Sequence, residues 1–176
     1  MKKYILPFLS VALCFTACKN DPKTATPPVL ENHNLNETKT KEKVSFNSEK
    51  NQLLYKDYLA IKSAMVNTDG AKTESVAKKL VADFSTDENY SLVKQIASLI
   101  SSTDDIEKQR EFFVGLTEEI TKLLKADIKN GKIHQQFCPM AFDGKGGYWL
   151  SDSKEIRNPY FGDVMLACGA VTEVLE

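Results

Sequence analysis

Between Leu54 and Ile128 apolar side chains recur at helical spacing, and after Gly131 that spacing stops. A period of three to four residues gives each helix one apolar stripe, which must be buried against another element. The first run, Gln52 to Val66, has Leu54, Tyr58, Ile61 and Met65 on its stripe, with Tyr55, Leu59, Lys62 and Val66 beside it. Asp69-Gly70 breaks it, and a second run carries Val76, Leu80, Val81 and Phe84. Ser85 to Asn89 is polar and turn-like, and a short third helix bears Leu92, Ile96, Leu99 and Ile100. Ser101 to Asp105 offers N-cap residues and acidic charge for the next start. The fourth and longest helix is predicted from about Asp104 to Asn130, with Asn130-Gly131 as its stop. Its stripe is Phe112, Phe113, Leu116, Ile120, Leu123, Leu124 and Ile128. The expected class is mainly α, an antiparallel four-helix bundle. Met65 reads as core.

These helices carry no catalytic signature. There is no His-x-x-x-His pair, no Glu-x-x-His pair and no nucleophile elbow. Acidic residues fall on polar faces with Lys at helical spacing, as in Glu118 and Lys122. The chain does not read as an enzyme. Cys138 with His134 would make a nucleophile and base lacking an orienting third group.

The last third of the chain is built differently. Phe137, Pro139, Phe142, Gly144, Gly146, Gly147, Tyr148, Trp149, Pro159, Tyr160, Phe161 and Gly162 make it rich in Gly, Pro and aromatics. It is too apolar for disorder and too broken for one helix. An irregular packed layer is expected, with a short strand or two over one end of the bundle. From Asp163 to Leu175 the pattern turns helical or mixed, consistent with a short final helix.

The N-terminal end is of a third kind. Lys2 and Lys3 precede an apolar stretch from Tyr4 to Phe15, too short for a spanning helix. Phe15-Thr16-Ala17-Cys18 then resembles a bacterial lipobox. Residues 1–17 are therefore expected to be a lipoprotein signal peptide, with Cys18 as the lipidated first residue. Cys14, inside the apolar run, is the poorer acceptor. Residues 18–50, with Pro22, Pro27, Pro28 and many Thr, Asn, Lys and Glu, read as a flexible tether. Residues 51–176 then form a single helical domain, anchored by lipid to a membrane of the cell envelope and facing the periplasm or outer surface. Of 23 Lys and Arg, two precede Cys18, whereas all 24 Asp and Glu follow it, leaving −3 beyond the leader. With no basic block, nucleic acid is not an expected partner.

Two cysteines remain for the domain, Cys138 and Cys168. Pro139 biases Cys138 toward extended backbone, where Cys138 and Met140 point to one side. Met165 and Cys168, three apart, share a face on a helical turn. Two thiolates with two thioethers make a soft donor set suited to Cu(I) or Ag(I). His134, four residues before Cys138, is a further candidate ligand, as zinc chemistry would use. His33 in the tether has no such argument. A Cys138–Cys168 disulfide is the competing reading. It would close a loop of about thirty residues, worth roughly 3–4 kcal/mol of chain entropy.

One longer pattern joins these residues. Cys138-Pro139-Met140-Ala141, Trp149-Leu150-Ser151, Glu155-Ile156-Arg157-Asn158-Pro159-Tyr160-Phe161-Gly162, Met165-Leu166 and Cys168-Gly169 occur in this order. The run resembles a Bacteroidetes domain of unknown function, number 3347, and the C-terminal region of CusB-type copper/silver efflux adaptor proteins. Tyr55 and Tyr58 also match that family's Tyr-x-x-Tyr-Leu opening, and the resemblance covers about residues 46–176. It implies a small exported helical domain, often lipid-anchored, working beside heavy-metal efflux parts. Family members often carry His just before Cys-Pro-Met, where this chain has Phe137. The expected function is an envelope lipoprotein that binds Cu(I), or Ag(I), through Cys138, Met140, Met165 and Cys168. Trp149, Tyr160 and Phe161 would form an apolar shell. Its role would be buffering, or delivery to an efflux adaptor or transporter. The alternative is a non-catalytic structural or interaction module stapled by the disulfide.

Overall fold

The computed structural model describes residues 34–176; the leader, Cys14, Cys18 and His33 lie outside the described residues. Four helices form where the spacing predicted them: α1 (Glu49–Val66), α2 (Gly70–Asp83), α3 (Ser91–Ile100) and α4 (Ile106–Lys125). In α3 the buried face is Val93, Ala97 and Ile100, and Leu92 and Leu99 of the expected stripe are exposed. Ser48 caps α1, Asp69 caps α2 and Asp105 caps α4, each side chain accepting from a backbone N–H in the first turn. Consecutive helices pack on one another, and α1 also closes on α4. Leu54, Tyr58, Ile61, Met65, Leu80, Phe84, Phe113, Leu116 and Ile120 meet in one core from which water is excluded. Met65 is fully buried there.

The helices do not form a pure four-helix bundle. Strands β1 (Ser45–Phe46) and β2 (Ile128–Asn130) pair as an antiparallel ribbon. Strands β3 (Ile133–Cys138), β4 (Gly147–Ser151) and β5 (Ala170–Leu175) form an antiparallel sheet of order β4-β3-β5. α4 accordingly stops at Lys125 rather than Asn130, because Ile128 pairs with Phe46. Asp127 accepts from Ser48 N and from Asn51 Nδ2, tying this corner to the start of α1. The layer expected to be irregular is thus largely sheet. The expected final helix is replaced by β5, whose Val171, Thr172 and Val174 are β-branched and fit a pleated surface. Only a 3-10 turn, Gly162–Met165, precedes it.

Sheet and helices are joined at one buried point. Tyr58 Oη accepts from Leu150 N on β4 at 2.9 Å and pairs with Thr117 Oγ1 on α4 at 2.9 Å. The segment placed in the tether by composition is partly docked. Leu35 N donates to Asn67 Oδ1, Glu42 N to Asp152 O and Arg157 Nε to Glu37 O. Residues 34–48 therefore lie along the domain, and Phe46 is part of its core.

Candidate functional site: a thiol pair at the end of the sheet

Cys138 closes β3 and stands opposite Gly147 of β4. Cys168 precedes β5, the other neighbour of β3, whose Ala170 stands opposite Phe137. The antiparallel register thus brings together two residues thirty positions apart. Their Sγ atoms are 3.1 Å apart, and both are free thiols.

Glycines make this approach achievable. A Cβ at Gly169 would lie 2.8 Å from Trp149 Cη2 and 2.9 Å from Phe137 O, and its φ of +140° is one L side chains rarely adopt. A Cβ at Gly147 would lie 2.6 Å from Tyr160 Cε2, so the Tyr160 ring packs flush on the strand position facing Cys138. Trp149 and Tyr160 meet edge to face, 5.9 Å between centroids, and both are buried. They make an aromatic wall beside the thiols. Phe161 lies partly buried against the same core.

The two thiols have different surroundings. Cys138 is fully buried, whereas Cys168 reaches solvent in part. The hydrogen bond with Cys138, then partial burial, holds the Cys168 thiol pKa above its ordinary value. A neighbouring thiol that shares its proton resists a second negative charge.

The methionines are arranged less symmetrically than their spacing suggests. β3 ends at Cys138, and Met140 has helical backbone angles at the start of the one-turn helix α5 (Ala141–Gly144). The two-residue alternation of an extended chain therefore lapses, and Met140 is 55% exposed. Inside α5, Phe142 and Asp143 have φ of 52° and 56°, a left-handed reversal that carries the chain back into β4. Met165 is joined to Cys168 by a backbone turn. Cys168 N donates to Met165 O at 3.0 Å, a turn in which residues three apart stand on one side. Met165 is 38% exposed.

His134 does not join the site. It lies on β3 opposite Ser151, four strand residues from Cys138, or about 13 Å along an extended chain. The same separation keeps it from acting as a base for Cys138. It is buried, its Nδ1 has no hydrogen-bond partner, and desolvation lowers its pKa. Among the described residues no group of three or more His, Cys, Asp or Glu is placed to hold a metal ion.

Asn158 was quoted in the sequence pattern without a role. It is fully buried, and its Nδ2 donates to Cys168 O at 2.9 Å. An Asn-Pro dipeptide favours a turn, but it does not say which backbone group the amide will meet.

Fold and site define a small domain of helices and sheet carrying a dithiol at the sheet's end. Residues 54–131 match the family model described as "Protein of unknown function (DUF3347)", which supports the family that the sequence pattern resembles. The match spans the helical layer and stops just before β3. No curated protein and no solved structure matches the chain.

Proposed function

We propose that the protein is an exported, lipid-anchored carrier of a soft monovalent metal, Cu(I) or Ag(I), taken up between Cys138 and Cys168. The observation that carries this reading is the pair of free thiols 3.1 Å apart, one sealed and one reaching solvent. Metal–thiolate bonds run about 2.3 Å, so a two-coordinate ion needs sulfurs roughly 4.6 Å apart. Rotation of the partly exposed Cys168 side chain can supply the difference. Thiolates are soft donors that favour Cu(I) over hard cations, and Met165, exposed and three residues before Cys168, is the candidate thioether donor. The wall of Trp149 and Tyr160 keeps water from one side of the pair. The metal is cargo in this reading. It enters and leaves by ligand exchange at Cys168, and no turnover chemistry is required. Cys18 would anchor the chain to a membrane of the envelope, and an efflux adaptor or transporter would receive the metal. Among the described residues no helix is long and apolar enough to cross a membrane.

The test is a Cu(I) titration of the reduced protein against a competing chelator. One equivalent should bind, and the double change Cys138→Ser with Cys168→Ser should abolish it. Met165→Leu should weaken it by roughly ten-fold, the size of one lost ligand contact. Unchanged affinity without the thiols sinks the proposal.

A second reading rests on the same contact. At 3.1 Å the sulfurs are about 1 Å beyond bonding distance. An oxidising envelope would favour closing them into a structural disulfide. The domain would then be a non-catalytic interaction module. Intact mass with and without reductant, on protein taken from its own envelope, separates the two. A fully oxidised pair favours the module.

A further inference from the structure

The thiol pair exists because residues 158–168 return Cys168 to the end of β3, and one buried side chain organises that return. Asn158 Nδ2 donates to Cys168 O at 2.9 Å, and its Oδ1 accepts from Tyr160 N at 2.8 Å. Its backbone N–H donates to Leu166 O at 2.9 Å, and its carbonyl accepts from Gly162 N at 3.1 Å. Both backbone groups and both ends of the side-chain amide are therefore engaged inside one loop.

The start of that loop is anchored to the rest of the fold. Pro159 O accepts from the buried Arg110 Nε of α4 at 2.9 Å, and Tyr160 packs on Gly147. Downstream of Cys168 there is no slack either, since Gly169 is pressed between Trp149 and Phe137 O. Cys168 is thus held from both sides, by Gly169 after it and by Asn158 on its own carbonyl. Fixing that carbonyl fixes the Cα from which the thiol projects.

We propose that Asn158 is the positioning residue of the thiol pair, its side-chain amide setting how closely Cys168 Sγ is presented to Cys138 Sγ. The residue type follows from the chemistry. The site needs a donor toward a carbonyl and an acceptor toward an N–H on one short, planar side chain. Aspartate offers two acceptors and would turn a carboxylate oxygen against the Cys168 carbonyl. The link to metal uptake rests on the function proposed above, whereas the pairing of the thiols does not.

The experiment compares the full chain with Asn158→Asp and with Asn51→Asp. Asn51 is a second buried amide, holding Asp127 and Tyr90 at the start of α1, away from the thiols. Three quantities are read: the thiol–disulfide equilibrium in glutathione buffer, the alkylation rate of Cys168, and Cu(I) competition. In Asn158→Asp the disulfide-forming tendency should fall roughly ten-fold or more, and Cys168 should alkylate faster, as expected when two thiols lose their mutual presentation. Asn51→Asp should lower the melting temperature and leave both thiol readouts within about two-fold. A folded Asn158→Asp protein with unchanged thiol equilibrium overturns the inference. Loss of pairing in Asn158→Asp, with no Cu(I) binding by the unaltered chain, upholds it and sinks only the metal reading. Should Asn158→Asp not fold, the Asn158 side-chain amide signals of the unaltered protein decide. They should exchange slowly in the reduced state and shift when Cys168 is alkylated. Exchange at the rate of a free amide overturns the inference.

Discussion

Cys138 and Cys168 face each other at 3.1 Å across a boundary between protein interior and solvent. Alkylation should therefore be ordered, Cys168 first. Its thiol is held above the ordinary pKa chiefly by the hydrogen bond with Cys138. Because the thiolate is the reactive form, its rate should rise with pH later than that of a free cysteine. Cys138→Ala removes the first cause and should move the profile to lower pH. Mass-resolved alkylation across pH 6 to 10 measures both. Faster labelling of Cys138 would contradict the burial difference.

Gly169→Ala should damage the site more than its size suggests. The added methyl would meet Trp149 and Phe137 O below 3.0 Å, at a φ that alanine rarely adopts. The cost should be about 1–3 kcal/mol, the usual range for backbone strain of this kind. Disulfide formation under mild oxidant should slow, since Cys168 must move with its neighbour. Denaturant unfolding and timed thiol counts provide the two readouts.

Tyr58→Phe tests the joint between helices and sheet. It leaves Leu150 N–H buried without its acceptor and deprives Thr117 of its partner. An orphaned buried polar group costs about 1–3 kcal/mol. The midpoint of urea unfolding should fall while the slope stays the same, because the surface exposed on unfolding barely changes.

Lys62 gives a pH prediction of definite sign. It is fully buried in α1, donates to Asn36 Oδ1, and desolvation lowers its pKa from 10.5 to about 8. The unfolded chain then binds more protons than the folded one between about pH 8 and 10.5, so this group's contribution to stability rises with pH through that window. Below about pH 8 the group opposes folding. From pH 8 to about 9.5 the raised Cys168 thiol opposes this gain, and above it the buried Tyr55, Tyr58 and Tyr160 do, so the Lys62 contribution is read as the difference between the unaltered protein and a Lys62 variant. Lys62→Met should remove that rise and stabilise the protein at pH 7 by up to roughly 3 kcal/mol. Unfolding at four pH values, with both proteins, checks it.

The helices were legible in the sequence, as were the two cysteines and most of the buried faces, though α3 buries Val93 and Ala97 rather than Leu92 and Leu99. Leu54, Tyr58, Ile61 and Met65 lie where their spacing put them, because a helix's periodicity is local and needs no knowledge of its neighbours. A short strand or two was expected after the helices, where β3 and β4 form, but β1, β2 and β5 were not legible. Ile128 leaves helical spacing to pair with Phe46, and Ala170–Leu175 is held extended by β3, so each depends on a partner far away in the chain. Spacing also suggested that Met140 would stay beside Cys138 and that His134 was near it. The turn into α5 removes the first, and the length of an extended β3 removes the second. By itself the sequence determined which stripes must be buried and that two soft thiols were available. Only the tertiary structure decided that those thiols meet, because their meeting depends on strand register, on the space left by Gly147 and Gly169, and on the loop folded around Asn158.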